Sequence, residues 1–425
     1  MKISIRTIPL IMLFCMSGVF AEDWPQFLGP RRDCTSVQKG LIRIWPEDGP
    51  EVLWTVAVGI GFGGPVIKDG RVYLLDRDNE TGDFLRCFNL SDGKEIWKFD
   101  YDAPGSVMFP GSRSIPAVDG NYIYSCGHNG DLYCIDLNTH KPVWNKNVWT
   151  DFGGEHIPRW AITQNPLIYG DLLILASQAP QAGVVAYDKL TGRVKWTTPP
   201  LGPVGYVSPS LVKVSGRNHV VMITASAGGR RGQSGSGGKV VGIDPLDGKI
   251  LWEYTNWQCA IPVSGAVDAG EGRILITGGY EAGAAMIKID KKADAGYNVT
   301  ELYKTVEFGT HTLPPVLVND YFYAQYSTNE RKDGLVCMSM DGQVQWKTRR
   351  SPLFDKGSMI LADGLLLGSD GSEKVYLIEP DPSSFKPLAV AVLLEGKQNW
   401  APVALADGKL LIRDQNRLKC IKVAE

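Results

Sequence analysis

"NRLKCIKVAE", residues 416–425, keeps the rhythm of four earlier segments and stops where they turn. Those segments are "LRCFNLSDGKEIW" (85–97), "LYCIDLNTHKPVW" (132–144), "VVAYDKLTGRVKW" (184–196) and "VVGIDPLDGKILW" (240–252). Each runs an apolar strand into a tight turn and on to a tryptophan. The fuller unit is visible in "RSIPAVDG" (113–120), "NYIYSCGHNG" (121–130), "DLYCIDLNTHK" (131–141) and "PVW" (142–144). Period-two alternation between polar breaks gives strands, and Asp-Gly at the breaks gives hairpins. Four strands per repeat, with the closing aromatics Trp97, Trp144, Trp196, Trp252, Tyr303 and Trp346 spaced 43 to 56 residues apart, form the signature of a β-propeller.

First strands begin near Gly64, Ser114, Asn165, Ser208, Ser264, Pro314, Ser358 and Ala401, which makes eight units. The seventh degenerates to "KVYLIEPDPSSFKPLAVAVLL" (374–394), with Glu379 at the usual aspartate and no closing tryptophan. The eighth has three strands and no fourth. "EVLWTVAV" (51–58) carries Trp54 in the same series but has no first three strands before it. The expected architecture is all-β: an eight-bladed β-propeller of four-stranded antiparallel blades, closed when the strand around Trp54 completes the last blade. Closure leaves no open sheet edge across the ring, whereas a solenoid or two sandwiches would need separate caps. A seven-bladed ring is the neighbouring alternative.

The tryptophan ladder reads as fold and not as chemistry. A flat ring near the outer edge of one blade can cover the turn between third and fourth strands and pack on the neighbouring blade. Asp136, Asp188, Asp244 and Asp290 sit where a carboxylate can bond backbone N–H groups in or beside those turns.

The first 21 residues place Lys2 and Arg6 before an apolar run and end in Val19-Phe20-Ala21, the pattern of a cleaved secretory signal. The run from Ile8 to Phe14 is too short to span a bilayer, and Cys15 lacks the small residues that precede a lipidated cysteine. The expected organisation is a signal peptide (1–21), an N-terminal extension packed on the propeller (22–50) and one propeller (51–425), in a periplasmic or secreted monomer with no transmembrane segment. A net charge of -2 with 21% charged residues gives no nucleic-acid tract and no polybasic membrane surface. Seven cysteines follow the signal, an odd number that excludes complete intrachain pairing. Cys87, Cys134, Cys337 and Cys420 share one repeat position that faces the core, so they read as small buried hydrophobes. A Cys126–Cys134 disulfide is left open by spacing alone.

In idealised form the turn reads "DxxTGKxxW", represented here by "DKLTGRVKW" (188–196) and "DPLDGKILW" (244–252). This resembles the tryptophan-docking repeat of the pyrroloquinoline-quinone (PQQ)-like propellers, over nearly the whole mature chain. "DWPQFLGPRRD" (23–33) resembles the start of a large group of secreted bacterial propellers of unassigned function. The resemblance implies the fold; it carries function weakly, because the family holds both quinoprotein alcohol dehydrogenases and a non-enzymatic lipoprotein of outer-membrane protein assembly. The dehydrogenases stack the quinone under a disulfide between adjacent cysteines, bind Ca²⁺ through Glu, Asn and Asp, and use an aspartate base. This chain has no adjacent cysteines and no segment onto which those ligands map, so neither PQQ, Ca²⁺ nor any other cofactor or metal is assigned a residue.

Propeller geometry locates the face to test. Hairpins after first strands and turns after third strands share one face and stay short. The opposite face receives the loops between second and third strands, such as "DRDNETGD" (76–83), "SQAPQAG" (177–183), "GGYEAG" (278–283) and "YSTNERKDG" (326–334), which are long and varied. Residues leading into first strands point at the central funnel: Phe62, Arg113, Arg159, Trp160, Tyr206, Gln258, His311, Lys356 and Trp400. Arginine forks and aromatic faces suit an anionic, hydroxyl-rich or planar ligand, so the expected partner is a small polar molecule such as a saccharide. The bland alternative has Phe62 and Trp400 plugging the funnel while the arginines pair with acids such as Glu155 or Glu281. "DFGGEHIPRW" (151–160) adds Glu155 and His156, and "GHNGD" (127–131) adds His128. His156, His311, Glu155 and Tyr206 are candidate acid-base groups, with Arg113, Arg159, Trp160, His128, Gln258, Lys356 and Trp400 as candidate ligand-binding groups. No HxH, HExxH or EF-hand spacing marks a metal site, and "SAGGRRGQSGSGG" (226–238) lacks the Lys-Ser/Thr signature of a phosphate loop. Three function classes follow: a ligand-binding propeller, an enzyme acting by quinone-dependent oxidation or as an acidic-sugar lyase, and a non-catalytic scaffold for envelope proteins.

Overall fold

The computed structural model describes residues 22–227, 236–293, 296–328 and 331–425. The signal-peptide reading of residues 1–21 and the glycine-rich centre of the 226–238 loop lie outside the described residues.

Eight sheets, each with four antiparallel strands, succeed one another in chain order, and the eighth is completed from the other end of the chain. Val52–Ala57 pairs antiparallel with Arg417–Lys422, setting Trp54 opposite Cys420 and Val56 opposite Leu418. The eight-bladed ring closed around Trp54 is therefore the observed fold. The hairpins that keep each blade tight follow their sequence: Asp69-Gly70, Asp363-Gly364 and Asp407-Gly408 all have both central residues at positive φ, the type I′ geometry that fits strand twist. Inner strands are buried on both faces between neighbouring blades, as in Leu172–Ala179, where every residue is buried. Outer strands alternate instead, as in Glu95–Asp100. Blade seven keeps four strands despite its degenerate sequence and gains a fifth.

The aromatic ladder joins blade to blade. Trp54 Nε1 donates to Leu90 O at 2.9 Å, Trp144 Nε1 to Lys189 O at 3.0 Å, Trp196 Nε1 to Pro245 O at 3.1 Å and Trp346 Nε1 to Asp381 O at 2.9 Å. In each case the acceptor lies in the third-to-fourth-strand turn of the next blade, so Trp54 of blade eight docks on blade one. The ring lies flat on a turn glycine: a Cβ on Gly93, already at φ +71°, would come within 2.7 Å of the Trp54 ring. Trp97 uses a different surface, stacking on His140 with ring centroids 5.0 Å apart. Trp252 turns to its own blade and donates to His219 Nδ1 at 3.0 Å. The turn aspartates act as expected at Asp136, Asp188 and Asp244, whose Oδ1 atoms accept backbone N–H groups two residues on. Asp290 does not: blade five has a longer hairpin, and Asp290 sits in its ladder opposite Asn298.

Around the channel, polar side chains at the starts of first strands stitch neighbouring blades. Ile115 N–H donates to Asn165 Oδ1, Asn165 N–H to Ser208 Oγ, and Val403 N–H to Ser358 Oγ, all within 3.0 Å. All seven described cysteines are free and buried, including Cys126 and Cys134, so no disulfide joins that pair. Burial pushes the Cys87, Cys134 and Cys420 thiols up to about 12, so they act as apolar core groups.

Before the ring closes, the chain crosses the hairpin face as a strap. Trp24 exchanges both backbone bonds with Ile67 of blade one, and Val118 of blade two donates to Pro25 O. Thr35–Ser36 runs parallel to the first strand of blade seven, Ile42 N–H reaches Val423 O, and Gln38 Oε1 accepts from Gly408 of blade eight. Gly29 is needed at the bend: it has φ +83°, and a Cβ there would meet the Trp24 ring at 2.8 Å. From this strap Phe27 and Arg32 rise into the channel.

Candidate functional site

The residues leading into first strands converge, because those strands are the innermost of each blade and their N-terminal ends all face the channel mouth. Arg113, Trp160, Tyr206, His311, Lys356 and Trp400 line one cavity of about 220 Å³, together with Phe62. Phe62 stacks on Trp400 at 5.4 Å, and Phe109 packs against both rings. Trp160 and Tyr206 meet edge to face at 5.2 Å. Tyr280 and His311 do the same at 4.7 Å. Aromatic rings thus furnish the mouth and much of the wall.

The charges in the cavity are unequal. Lys356 Nζ binds Asp355 Oδ1 at 2.9 Å, and the other oxygen of Asp355 accepts from Trp400 Nε1 at 3.1 Å, so this cation is neutralised on the spot. Arg113 lies over the Phe62 ring at 5.4 Å and donates only to the carbonyls of Met108 and Phe109. Burial pulls its guanidinium down to about 10, which leaves it protonated at neutral pH. Arg159 is exposed on the rim, 5.2 Å above the Trp160 ring. Burial raises the Tyr206 phenol, so it holds its proton. Among the described residues, no aspartate or glutamate lines the cavity.

The other candidates stand apart. Glu155 and His156 are exposed outside the lining. Gln258 spends its amide on the backbone of Gly238 and Thr255 and borders a wider open cleft of about 670 Å³, shared with Glu281 and Lys304. His128 is buried, its backbone N–H held by Asp83 Oδ2 at 2.7 Å and its ring against Asn129. Burial is the main force that pushes His128 down to about 4, with Arg77 and Arg113 adding to it, so it is neutral at pH 7. Because the fold favours the neutral ring, its contribution to stability is complete above the unfolded value of 6.5 and is lost as pH falls toward about 4. Thermal melts across that window should show acid destabilisation that His128→Gln reduces. His219, also lowered by burial, retains the remainder in that variant.

Three cavity residues escape a reading by repeat position. Phe27 comes from the strap, Phe109 from the loop before blade two, and Tyr280 from a hairpin in which Tyr280 and Glu281 both have positive φ. The "DWPQFLGPRRD" motif and "GGYEAG" mark the first and last of these, but neither shows where its side chains point.

The cavity does not fit a PQQ–Ca²⁺ centre. Calcium takes oxygen ligands with carboxylates prominent among them, and the lining offers none. Among the described residues no group of three or more His, Cys, Asp or Glu could hold a metal ion, and no helix is long and apolar enough to cross a membrane.

Comparison with known proteins supplies the context. The model of the family described as "Outer membrane protein assembly factor BamB" matches residues 81–348. A curated protein of that name from Shewanella oneidensis is 24% identical over 162 residues, 38% of this chain and 39% of the relative. The chain thus spans about two fifths of that relative's length. Among solved structures, a quinohemoprotein alcohol dehydrogenase from Comamonas testosteroni superposes with a TM-score of 0.65 at 13% identity, covering 95% of this chain and 81% of its own. BamB from Moraxella catarrhalis superposes at 0.57 and 12% identity, covering 87% and 96%. These superpositions establish the fold alone. The protein is periplasmic or secreted. With the matched segment running from blade one through blade six, the chain belongs to the outer membrane protein assembly factor BamB family of PQQ-like propellers.

Proposed function

We propose that this protein is an exported binding scaffold of the cell envelope that holds another envelope protein against its funnel face, residues 22–50 serving as an extension of a propeller formed by 51–425. The observation that carries this reading is the apolar rim: Ile60, Met108 and Phe109 are 44%, 49% and 36% exposed beside the Phe62–Trp400 stack. Apolar groups gathered at an open mouth mark a surface that is covered in use. Membership of a family described as an assembly factor supports the same reading, and the reading needs no turnover. The test is a photo-crosslinking residue placed at Phe109 in cells, with a control at Leu246, 71% exposed on the opposite face. A discrete adduct from Phe109 alone, lost on adding Ile60→Glu and Met108→Glu, is expected. Equal adducts from both positions, or none from Phe109, would overturn the reading.

A second reading places a small polar ligand, such as a saccharide, inside the cavity. It is favoured by a cavity of about 220 Å³, room for a compact ligand, and by the Trp160 and Tyr206 rings in its wall. An acidic-sugar lyase would draw on Tyr206, His311 and Arg113, which share this lining, while Glu155 and His156 would stay outside it. A quinone-dependent dehydrogenase draws support from fold likeness only. Reconstitution with PQQ and Ca²⁺ that gives neither spectral change nor dye reduction would remove it.

A further inference from the structure

The strap joins the blades in forming the floor of the funnel. Phe27 reaches the cavity lining. Behind it Arg32 extends to blades three and four, donating to Pro166 O at 3.2 Å, Pro209 O at 3.4 Å and Gln26 Oε1 at 3.3 Å. Pro166 and Pro209 adjoin Asn165 and Ser208, which both line the cavity, so the guanidinium sits one residue beneath its surface. All three acceptors are neutral. Burial pulls Arg32 down to about 10, so it stays charged at pH 7.

Arg113 in the wall and Arg159 on the rim share this condition. Among the described residues, none of the three arginines forms an ion pair. Asp355 is taken up by Lys356 and Trp400. A part-buried cation bonded only to carbonyl and amide oxygens keeps an uncancelled charge, and the aromatic walls project part of that charge into the cavity. Among the described residues, the buried donors Arg113 Nε and Trp160 Nε1 have no hydrogen-bond partner.

We propose that the funnel is a carboxylate receptor, and that the N-terminal strap supplies its specificity-determining residue, Arg32. The strap motif "DWPQFLGPRRD" then has two roles in one site: it seals the channel to make a blind chamber, and it sets the sign of charge that the chamber accepts. The ligand is a carboxylate on a compact body with a ring or apolar surface, which the aromatic wall packs against. Arg32 acts through the field beneath the floor and is a positioning residue; Arg113 makes the direct contact. This rests on the second reading above, that the cavity itself is occupied.

Two isosteric probe pairs test it by calorimetry at low ionic strength: D-glucuronate against D-glucose, and the capped dipeptide acetyl-Phe-Asp-amide against acetyl-Phe-Asn-amide. Preference for the acid of at least about tenfold in one pair, weakening with added salt, is expected. Which pair discriminates tells a sugar acid from an acidic side chain, and either result supports the proposal. Arg32→Gln should remove most of the preference for the acid, and Arg32→Lys should restore part of it. Where Arg32→Gln fails to fold by thermal melt, Arg113→Gln should likewise remove most of the preference for the acid. Equal binding of acid and neutral members by the wild-type protein, or full preference retained in a folded Arg32→Gln variant, would overturn the receptor. Such a failure leaves crosslinking at Phe109 untouched, so the scaffold reading is judged separately.

Discussion

Replacing Trp54 with alanine is expected to lower the free energy of unfolding by about 3–5 kcal/mol, the range for deleting a large buried aromatic. Trp54 lies in the core cluster with Cys420 and Leu418, opposes Cys420 across the closing pair of strands, and donates to Leu90 O of blade one. Its loss opens a cavity at the joint where the two ends of the chain meet. Urea denaturation followed by near-ultraviolet circular dichroism measures the effect. Trp54→Phe should cost less, since it keeps a flat ring on Gly93 and gives up the indole bond. A cost for Trp54→Ala no larger than that of an exposed substitution would show that the ring closes without this contact.

The second large effect concerns a charge pair that no repeat pattern announces. Arg77 Nη1 lies 2.9 Å from Asp83 Oδ1, and both side chains are fully buried. Arg77 also donates to Ala103 O at 2.9 Å, while Asp83 receives the His128 backbone N–H. Asp83→Leu leaves the guanidinium without its counter-charge and should cost about 3–5 kcal/mol. Adding Arg77→Met should recover much of that loss, giving a coupling of about 1–3 kcal/mol in a double-mutant cycle. Urea midpoints of the four proteins supply the cycle. Additive losses would show that water reaches the site and screens the pair.

Much of this architecture is local and hence legible. Alternating apolar residues between Asp-Gly turns declare strands, and the search for a tryptophan beyond "NRLKCIKVAE" leads to Trp54. The convergence of Arg113, Trp160, Tyr206, His311, Lys356 and Trp400 follows from the same periodicity, since each occupies an equivalent place before an inner strand. What periodicity cannot convey is which polar group is already spent. Gln258 sits at an equivalent lead-in position but is used up by the backbone of Gly238. His128 lies in a loop of the funnel face but is drawn inward by a carboxylate 45 residues away. Arg32 eluded a sequence reading for a related reason. Its acceptors are 134 and 177 residues distant, and a strap without strand alternation gives no direction to its side chains.

The strap also sets a schedule for folding. Thr35 pairs with Leu361, Gln38 with Gly408 and Val52 with Ile421, so segments near one end of the chain have partners near the other. Contacts so far apart in sequence form late, after the loops between them have been closed. A chain that emerges from a membrane pore N-terminus first would present the strap and the Trp54 strand long before blades seven and eight arrive. Until then "EVLWTVAV" is an apolar strand with a free edge, the kind of segment that associates with other chains. The yield of folded protein should therefore depend on how quickly the last two blades follow.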